Sequence, residues 1–232
     1  LGAAFARALA SEGAKVAIAD LDSGAEVVEQ ITAAGGEAID VPTDVSTEDG
    51  CESMVARSIE AFGRLDILVN NAIFRAIKPF LEIEEDEFDK SLFTNIKGYF
   101  FLAQKVVPHM VKRNGGRVIN IASTFGFVGS SNLSAYCTCK GAVVNMTRAM
   151  AFELAGENIY VNAVAPGPIM TEGMSDLIQR VPSVHESRVQ DVPMGRFGTP
   201  EEIAEVCLFL ASEQCSYMNG SVLVADGGFL TH

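Results

Sequence analysis

The stretch Arg117-Val118-Ile119-Asn120-Ile121-Ala122-Ser123 is a short, mostly apolar run that ends on a hydroxyl, and thirteen residues after that serine stands the tyrosine of Tyr136-Cys137-Thr138-Cys139-Lys140. A parallel strand buried on both faces reads as such a run, without regular polar alternation. A serine at its C-terminal end opens into the crevice where open α/β sheets bind ligands. Tyrosine and lysine four apart on a helix stack on one face, a single turn from each other. The three groups can therefore share one site.

Strand and helix signals alternate on both sides of this stretch. Upstream, Lys15-Val-Ala-Ile-Ala-Asp20 is a strand run, followed by a helical stretch from 23 to 34 that closes on Gly35-Gly36. Glu37-Ala-Ile-Asp-Val41 is the next strand, 47–62 a helix, Leu65-Asp-Ile-Leu-Val69 a strand, and 84–113 a long helical region. Downstream, a helix over 136–155 leads to a strand over 160–165. Such a β-α repeat predicts one α/β domain over residues 1–232, a doubly wound parallel sheet with helices on both faces. Right-handed crossovers then bring the C-terminal ends of all strands to one edge. The stretch from Gly167 to Val192, rich in Met, Pro, Ser and charge, is the least regular and reads as a lid over that edge.

The chain has 232 residues, 48% of them hydrophobic, enough for a full core. A formal net charge of −13 with no compensating Lys/Arg cluster argues against a nucleic-acid or anionic-membrane surface. The five cysteines (51, 137, 139, 207 and 215) are odd in number and lack metal spacing, which predicts reduced thiols in a cytoplasmic protein. None of His109, His185 and His232 has metal-ligand company, so no metal is expected. No apolar stretch is long enough for a transmembrane helix.

The first thirteen residues, Leu1 to Gly13, already have helical periodicity and end on a glycine stop. A helix that begins at once leads to the expectation that the chain is an N-terminally truncated piece of a longer protein.

The strand ends carry the chemistry. Asp20 closes the first visible strand, eighteen residues after Gly2. If Gly2 ends a phosphate-binding loop, this is where a carboxylate holds the adenosine ribose 2′-hydroxyl and repels a 2′-phosphate, which predicts NAD over NADP. The alternative is a helix-entry cap. Asp44 could accept an adenine amino group while Val45 packs on the ring; otherwise Asp44 is a turn carboxylate. In Asn70-Asn71-Ala72, paired amides can bond backbone and cofactor, and alanine permits close approach; a structural turn is the bland reading. Asn95 is a poor helix former in mid-helix. It is either solvent-facing or part of a local helix irregularity that turns a polar group toward a bound water.

Taken together, Asn70-Asn71-Ala72, Asn95, Ser123, Tyr136-Cys-Thr-Cys-Lys140, Pro166-Gly167, Asn219-Gly220 and Asp226-Gly227-Gly228 resemble the short-chain dehydrogenase/reductase family over essentially the whole chain. The resemblance implies a Rossmann-type fold, a nicotinamide cofactor, and Asn95, Ser123, Tyr136 and Lys140 as catalytic tetrad. It implies cofactor contacts from Gly2, Asp20, Asp44, Val45, Asn71, Ala72, Tyr136 and Lys140, and from Pro166 to Thr171 along the nicotinamide, with Gly167, Ile169 and Thr171 among them. Two departures stand out. The first strand and most of the glycine-rich loop of the pattern are missing, which should expose a strand edge. Ile73 stands where the family has glycine, and narrows the backbone approach there.

A free tyrosine, with a pKa of about 10, is a slow base at neutral pH. A lysine charge about 5 Å away, at an effective dielectric of about 20, favours phenolate by about 3 kcal/mol, or about two pKa units. On this reading Tyr136 is the general acid/base, Ser123 holds the substrate oxygen, Lys140 also bonds the nicotinamide ribose, and Asn95 connects the lysine to solvent. The leading expectation is an NAD-dependent dehydrogenase of a secondary alcohol, or reductase of the matching ketone. Its rivals are a 3-oxoacyl-thioester reductase serving an acyl carrier protein, and a catalytically silent scaffold. Met170, Met174, Leu177 and Ile178 of the lid, with Phe125, Phe127 and Val128 after Ser123, suggest a mostly apolar or small cyclic substrate. Phe100, Phe101, Val144 and Met150, read as outward-facing on the two long helices, together with the pairing of these helices in family members, predict a homotetramer or homodimer.

Overall fold

The structure, a computed structural model, describes residues 1–180 and 188–231. His185, His232 and the lid segment 181–187 lie outside the described residues. Six strands run parallel: β1 (Lys15–Asp20), β2 (Glu37–Pro42), β3 (Ile67–Asn70), β4 (Gly116–Ile121), β5 (Ile159–Pro166) and β6 (Val222–Ala225). Between and around them lie α1 (Gly2–Ser11), α2 (Ala25–Ala33), α3 (Glu48–Phe62), α4 (Glu85–Leu92), α5 (Gly98–Val111), α6 (Ser134–Leu154), α7 (Glu172–Arg180) and α8 (Pro200–Ala211). Every strand and helix expected from periodicity forms, with ends displaced by a few residues at most.

Side-chain alternation along the inner strands sorts the core into two layers. Val118 on β4 and Val161 on β5 pack with Leu102, Val106 and Met110 of α5 and with Val55 of α3. Ile119, Ile121 and Val164, on the opposite face, pack with Phe5 of α1 and with Ile203, Cys207 and Leu210 of α8. Both faces of β4 and β5 are thus covered by helices, which is why these strands lack polar alternation.

The ladder runs β3-β4-β5-β6, and β1 pairs only with β2 in a separate two-stranded sheet. Each of β1 and β3 therefore keeps one edge without a ladder partner among the described residues. Helix α1 packs against α8, α2 and β1, so it bridges the two sheets.

Local signals set the helix ends. The Thr47 hydroxyl accepts the Gly50 N–H at 3.1 Å to start α3, and Gly63, at φ 72°, ends it in the left-handed region. Thr199 and Glu202 form a reciprocal capping box at α8, with Pro200 in its first turn. The predicted helix over 84–113 is interrupted by a π-helical turn at Phe93–Lys97, which holds Asn95. Such turns insert one extra residue per turn and re-aim side chains. Gly98 follows because a Cβ there would stand 2.8 Å from the Val45 carbonyl, so only glycine lets α5 approach the β2–α3 turn.

Polar groups buried in the sheet are paired with one another. Asn70 donates to Asn120 Oδ1 at 2.9 Å, Asn120 donates to Thr147 Oγ1 at 3.0 Å, and Thr147 donates to the Val143 carbonyl at 2.8 Å. This chain ties β3 to β4 and β4 to α6. On the other side of β5, Asn162 donates to the Met218 carbonyl and accepts the Ser221 N–H, while Asn219 accepts the Val161 N–H and donates to the Ala151 carbonyl. Asp226 accepts the N–H groups of Gly228 and Leu230, so Asn219-Gly220 and Asp226-Gly227-Gly228 are structural turns.

One expectation needs correction. Val144 does not face outward: it is buried against Tyr99 and Ala122, while Phe101 and Met150 are partly packed into the core, leaving Phe100 the most exposed of the four. Helical periodicity could not tell an outer face from a second inner one, because α6 packs against β5 on one side and against the π turn and α4 on another. The far end of the 167–192 stretch has contacts of its own. Val192 is buried, and Met194 donates to the Gly227 carbonyl, so the segment is anchored on the C-terminal turn.

Asn120→Ala should destabilise the fold by about 2–4 kcal/mol, since it leaves the Asn70 amide and the Thr147 hydroxyl short of partners in a dry interior and opens a small void. Urea unfolding measures this; a change within about 0.5 kcal/mol would mean that the buried ladder is hydrated.

Candidate active site

Ser123 lies two residues beyond the last residue of β4, and its extended backbone, held by the Ala122 N–H bond to the Val164 carbonyl, carries the hydroxyl over the strand ends. Its Oγ accepts the Phe125 N–H at 3.2 Å, which starts a short 3-10 turn at Thr124–Gly126. Tyr136 sits in the first turn of α6 and Lys140 one turn later, both buried. The Ser123 side chain is near enough to the Tyr136 phenol to favour its phenolate, and Lys140 Nζ lies 5.7 Å from the Tyr136 ring centre. The structure therefore brings together the three groups that the sequence spacing paired.

Asn95 joins them from the π turn. Its amide donates to the Phe74 carbonyl at 2.7 Å and to the Ser91 carbonyl at 2.8 Å, while its Oδ1, fully buried, has no protein partner. The predicted helix irregularity is present, and its first effect is to pin the loop that follows Asn70-Asn71-Ala72. The unpaired Oδ1 fits a bound water, since a buried acceptor left bare costs about 1–3 kcal/mol.

The electrostatics differ from the sequence estimate. Lys140 spends its ammonium on the Ile121 carbonyl at 2.6 Å and on the Tyr99 hydroxyl at 3.4 Å. Burial lowers its pKa to about 7. Tyr136 is raised above its ordinary value, because burial outweighs the acidifying effects of the Ser123 hydrogen bond and the Arg75 guanidinium. Lys140 is thus not a full, freely acting charge beside the phenol, and the expected two-unit depression is absent from the chain's own groups. Tyr99, missed in the sequence, is the reason for part of this geometry. Its one clue was a tyrosine within the apolar run Gly98-Tyr-Phe-Phe-Leu102.

The other predicted residues line the same edge. Asp20 is exposed and its carboxylate accepts the Asp22 N–H at 3.2 Å. Asp44 accepts the Ser46 N–H at 2.9 Å, and Val45 packs in part against the core, so both also serve the turn before α3. Gly2 approaches Asn71 closely: a Cβ on it would stand 2.9 Å from the Asn71 amide nitrogen. Ala72 is half-buried beside them, and Ile73 is 51% exposed. Gly167 has no room for a side chain against Asp226, Ile169 packs into the core, and the Thr171 hydroxyl accepts the Met174 N–H at 3.3 Å near the start of α7. All five cysteines are free, and burial raises the Cys139 thiol to about 11 and the Cys207 thiol to about 12. Among the described residues, no helix is long and apolar enough to cross a membrane.

A parallel α/β sheet whose strand ends present a carboxylate, a run of asparagines and a serine–tyrosine–lysine group is built to bind a dinucleotide along that edge and to act on an oxygen beside it. The residues present fit a nicotinamide dinucleotide: Asp20 ends β1, and Lys140, with one N–H to spare, lies by the end of β4.

Comparisons with known proteins agree. A family described as enoyl-(acyl carrier protein) reductase matches residues 1–230. A 3-oxoacyl-(acyl-carrier-protein) reductase of Thermotoga maritima is 37% identical over 235 residues, covering 99% of this chain and 93% of the relative. A short-chain type dehydrogenase/reductase of Mycobacterium marinum superimposes with a TM-score of 0.93 at 37% identity, over 100% of this chain and 91% of that one. A 7α-hydroxysteroid dehydrogenase, solved with NADH and 7-oxo glycochenodeoxycholic acid, has a TM-score of 0.93 at 33% identity, over 98% and 90% of the two chains. The chain belongs to the short-chain dehydrogenase/reductase family. It is an oxidoreductase of CH–OH or keto groups that uses a nicotinamide cofactor.

The depressed pKa of Lys140 gives stability a sign with pH. The folded chain gives up this proton near pH 7, the unfolded chain only near 10.5, so folding is penalised in full below about pH 7 and the penalty fades as pH rises toward 10.5. Lys140→Met should therefore show its most favourable melting temperature, relative to the parent, at pH 6, with the difference falling by pH 9.5. Calorimetry at the two pH values decides it; a pH-independent difference would contradict a buried, titrating ammonium.

Proposed function

We propose that this chain interconverts a secondary alcohol and its ketone with NAD(H), and that Ser123, Tyr136, Lys140 and Asn95 are the working residues. The observation that carries the reading is the contact of Ser123 with the Tyr136 phenol at the end of β4, with Lys140 buried behind them. In reduction, the carbonyl oxygen takes hydrogen bonds from the Ser123 and Tyr136 hydroxyls. A bound nicotinamide would supply the hydride to this carbon, or accept it in the reverse direction. Tyr136 gives its proton to the oxygen as negative charge develops there, and takes it back in oxidation. Burial keeps the phenol in its protonated form, the form that donates in reduction.

Lys140 keeps α6 and β4 in register through the Ile121 carbonyl and has one remaining N–H donor for a ribose hydroxyl. Asn95 holds the loop after β3 and offers Oδ1 to a water that can return the proton to Tyr136 through the lysine. Asp20 supports NAD over NADP, since its exposed carboxylate repels a 2′-phosphate. Pro166 to Thr171, with α7, are read as the nicotinamide-side wall and lid. The single-domain reading of residues 1–232 carries over, with Gly2, Asp44, Val45, Asn71 and Ala72 read as further cofactor contacts. The acyl-thioester alternative has the Thermotoga maritima relative in its favour. The acidic balance of −13 counts against docking an acidic carrier. The silent-scaffold alternative has no observation in its favour.

Titration of NADH and NADPH by fluorescence tests this. NADH should bind the tighter, and Asp20→Ser should shift the ratio of affinities toward NADPH by about tenfold or more. An NADPH preference in the parent, with reduction of 3-oxoacyl thioesters, would overturn the reading in favour of its rival.

Phe152 on α6 is 88% exposed and Phe100 on α5 45% exposed, which supports self-association through these helices as a homodimer or homotetramer. Sedimentation equilibrium should give two or four copies for the parent and fewer for Phe152→Glu; a monomeric parent would sink the idea.

A further inference from the structure

Two arginines lie over aromatic rings beside the reacting groups. The Arg75 guanidinium carbon lies 6.0 Å from the centre of the Tyr136 ring, and that of Arg188 lies 5.9 Å from the centre of the Phe125 ring. Phe125 is two residues beyond Ser123 and bonds its Oγ. Each arginine is therefore one aromatic ring away from a group that handles the substrate oxygen, and they come from different walls: the loop after β3 and the far end of the lid.

Stacking on a ring uses the face of a guanidinium and leaves the N–H donors at its edge free. Among the described residues, neither Arg75 nor Arg188 has a carboxylate or carbonyl on those donors. Arg196, by contrast, spends both terminal nitrogens on Glu202, at 2.7 and 2.8 Å, and Arg64 is paired edge-on with Asp66. What sets Arg75 and Arg188 apart is place: their open edges stand beside the rings next to the reacting groups. A planar fork with open donors fits a carboxylate or another oxyanion.

We propose that the substrate carries an anionic group, a carboxylate in the first instance, a few bonds from the carbon that is oxidised or reduced, and that the edges of Arg75 and Arg188 hold it. This rests on the oxidoreductase reading above and narrows it from secondary alcohols in general to hydroxy or oxo acids. It also revises the expectation of a purely apolar substrate: Phe125 and Phe127 still supply an apolar wall, but the recognition charge is positive. An anion drawn to this place meets local attraction against a repulsive overall charge, so the preference weakens as salt rises.

The test uses the full chain with NADH and three methyl ketones that differ in spacing: 3-oxobutanoate, 4-oxopentanoate and 5-oxohexanoate, each beside its methyl ester. Saturation kinetics gives KM, and ligand-observed NMR gives binding of the same probes without turnover. At one spacing or more, the acid should bind about tenfold tighter than its ester, the worth of a charge-assisted hydrogen-bonded pair. That acid-to-ester ratio should fall toward one in Arg75→Gln and in Arg188→Gln, and survive in part in Arg75→Lys. A ratio near one at every spacing, binding of no probe, or a ratio unchanged in both glutamine variants would overturn the proposal. Reduction of the esters with a ratio of one would remove the anion site and leave the oxidoreductase reading standing. Charge-selective binding without turnover of any probe would do the reverse.

Discussion

The bond from the Lys140 ammonium to the Ile121 carbonyl, at 2.6 Å, is the contact on which the rest of the site depends. It places a cation in a fully buried position, where burial is costly, and it does so at the end of the central strand rather than at the surface. The cost is offset only because the Ile121 carbonyl and the Tyr99 hydroxyl lie where the side chain ends. Once α6 is held there, Tyr136 is carried one turn back along the helix to meet Ser123. Weakening that contact would let α6 rotate or slide, and the serine and tyrosine would part.

The polar ladder in the sheet performs a related task. Asn70, Asn120 and Thr147 join β3, β4 and α6 through bonds that work in one register only, because a slip by one residue would bury unpaired amides. The apolar layers on the two faces supply most of the driving force but little specificity of position. The asparagines supply position. Asn95 does the same for the loop after β3, at the expense of a π turn in a long helix and an acceptor with no protein partner.

Charge is distributed to match. The overall balance is acidic, Asp20 marks the far end of the strand edge, and the positive groups near the reacting centre are Lys140, Arg75 and, by way of Phe125, Arg188. Of these, Arg75 is the one that acidifies Tyr136 from outside the family's four positions. Family membership defines the class of reaction; the side chains that choose among its many substrates stand on loops around a common frame.

The β-α order as far as β5, the buried strands there and the bounds of α3 between Thr47 and Gly63 were legible in the sequence, because hydrophobic period and helix-stop chemistry are local. The pairing of Ser123, Tyr136 and Lys140 was legible too, since a helix turn and a strand end fix their directions without knowledge of any distant contact. Three things were not. Val144 packs inward because α6 meets a second inner neighbour, a fact that period alone does not contain. The phenol and the ammonium titrate as they do because burial outweighs their neighbours, and burial is a property of the assembled layers. Tyr99, Arg75 and Arg188 lie 41, 61 and 63 positions from the residues they meet, Lys140, Tyr136 and Phe125, so only the closing of the tertiary structure could bring them there.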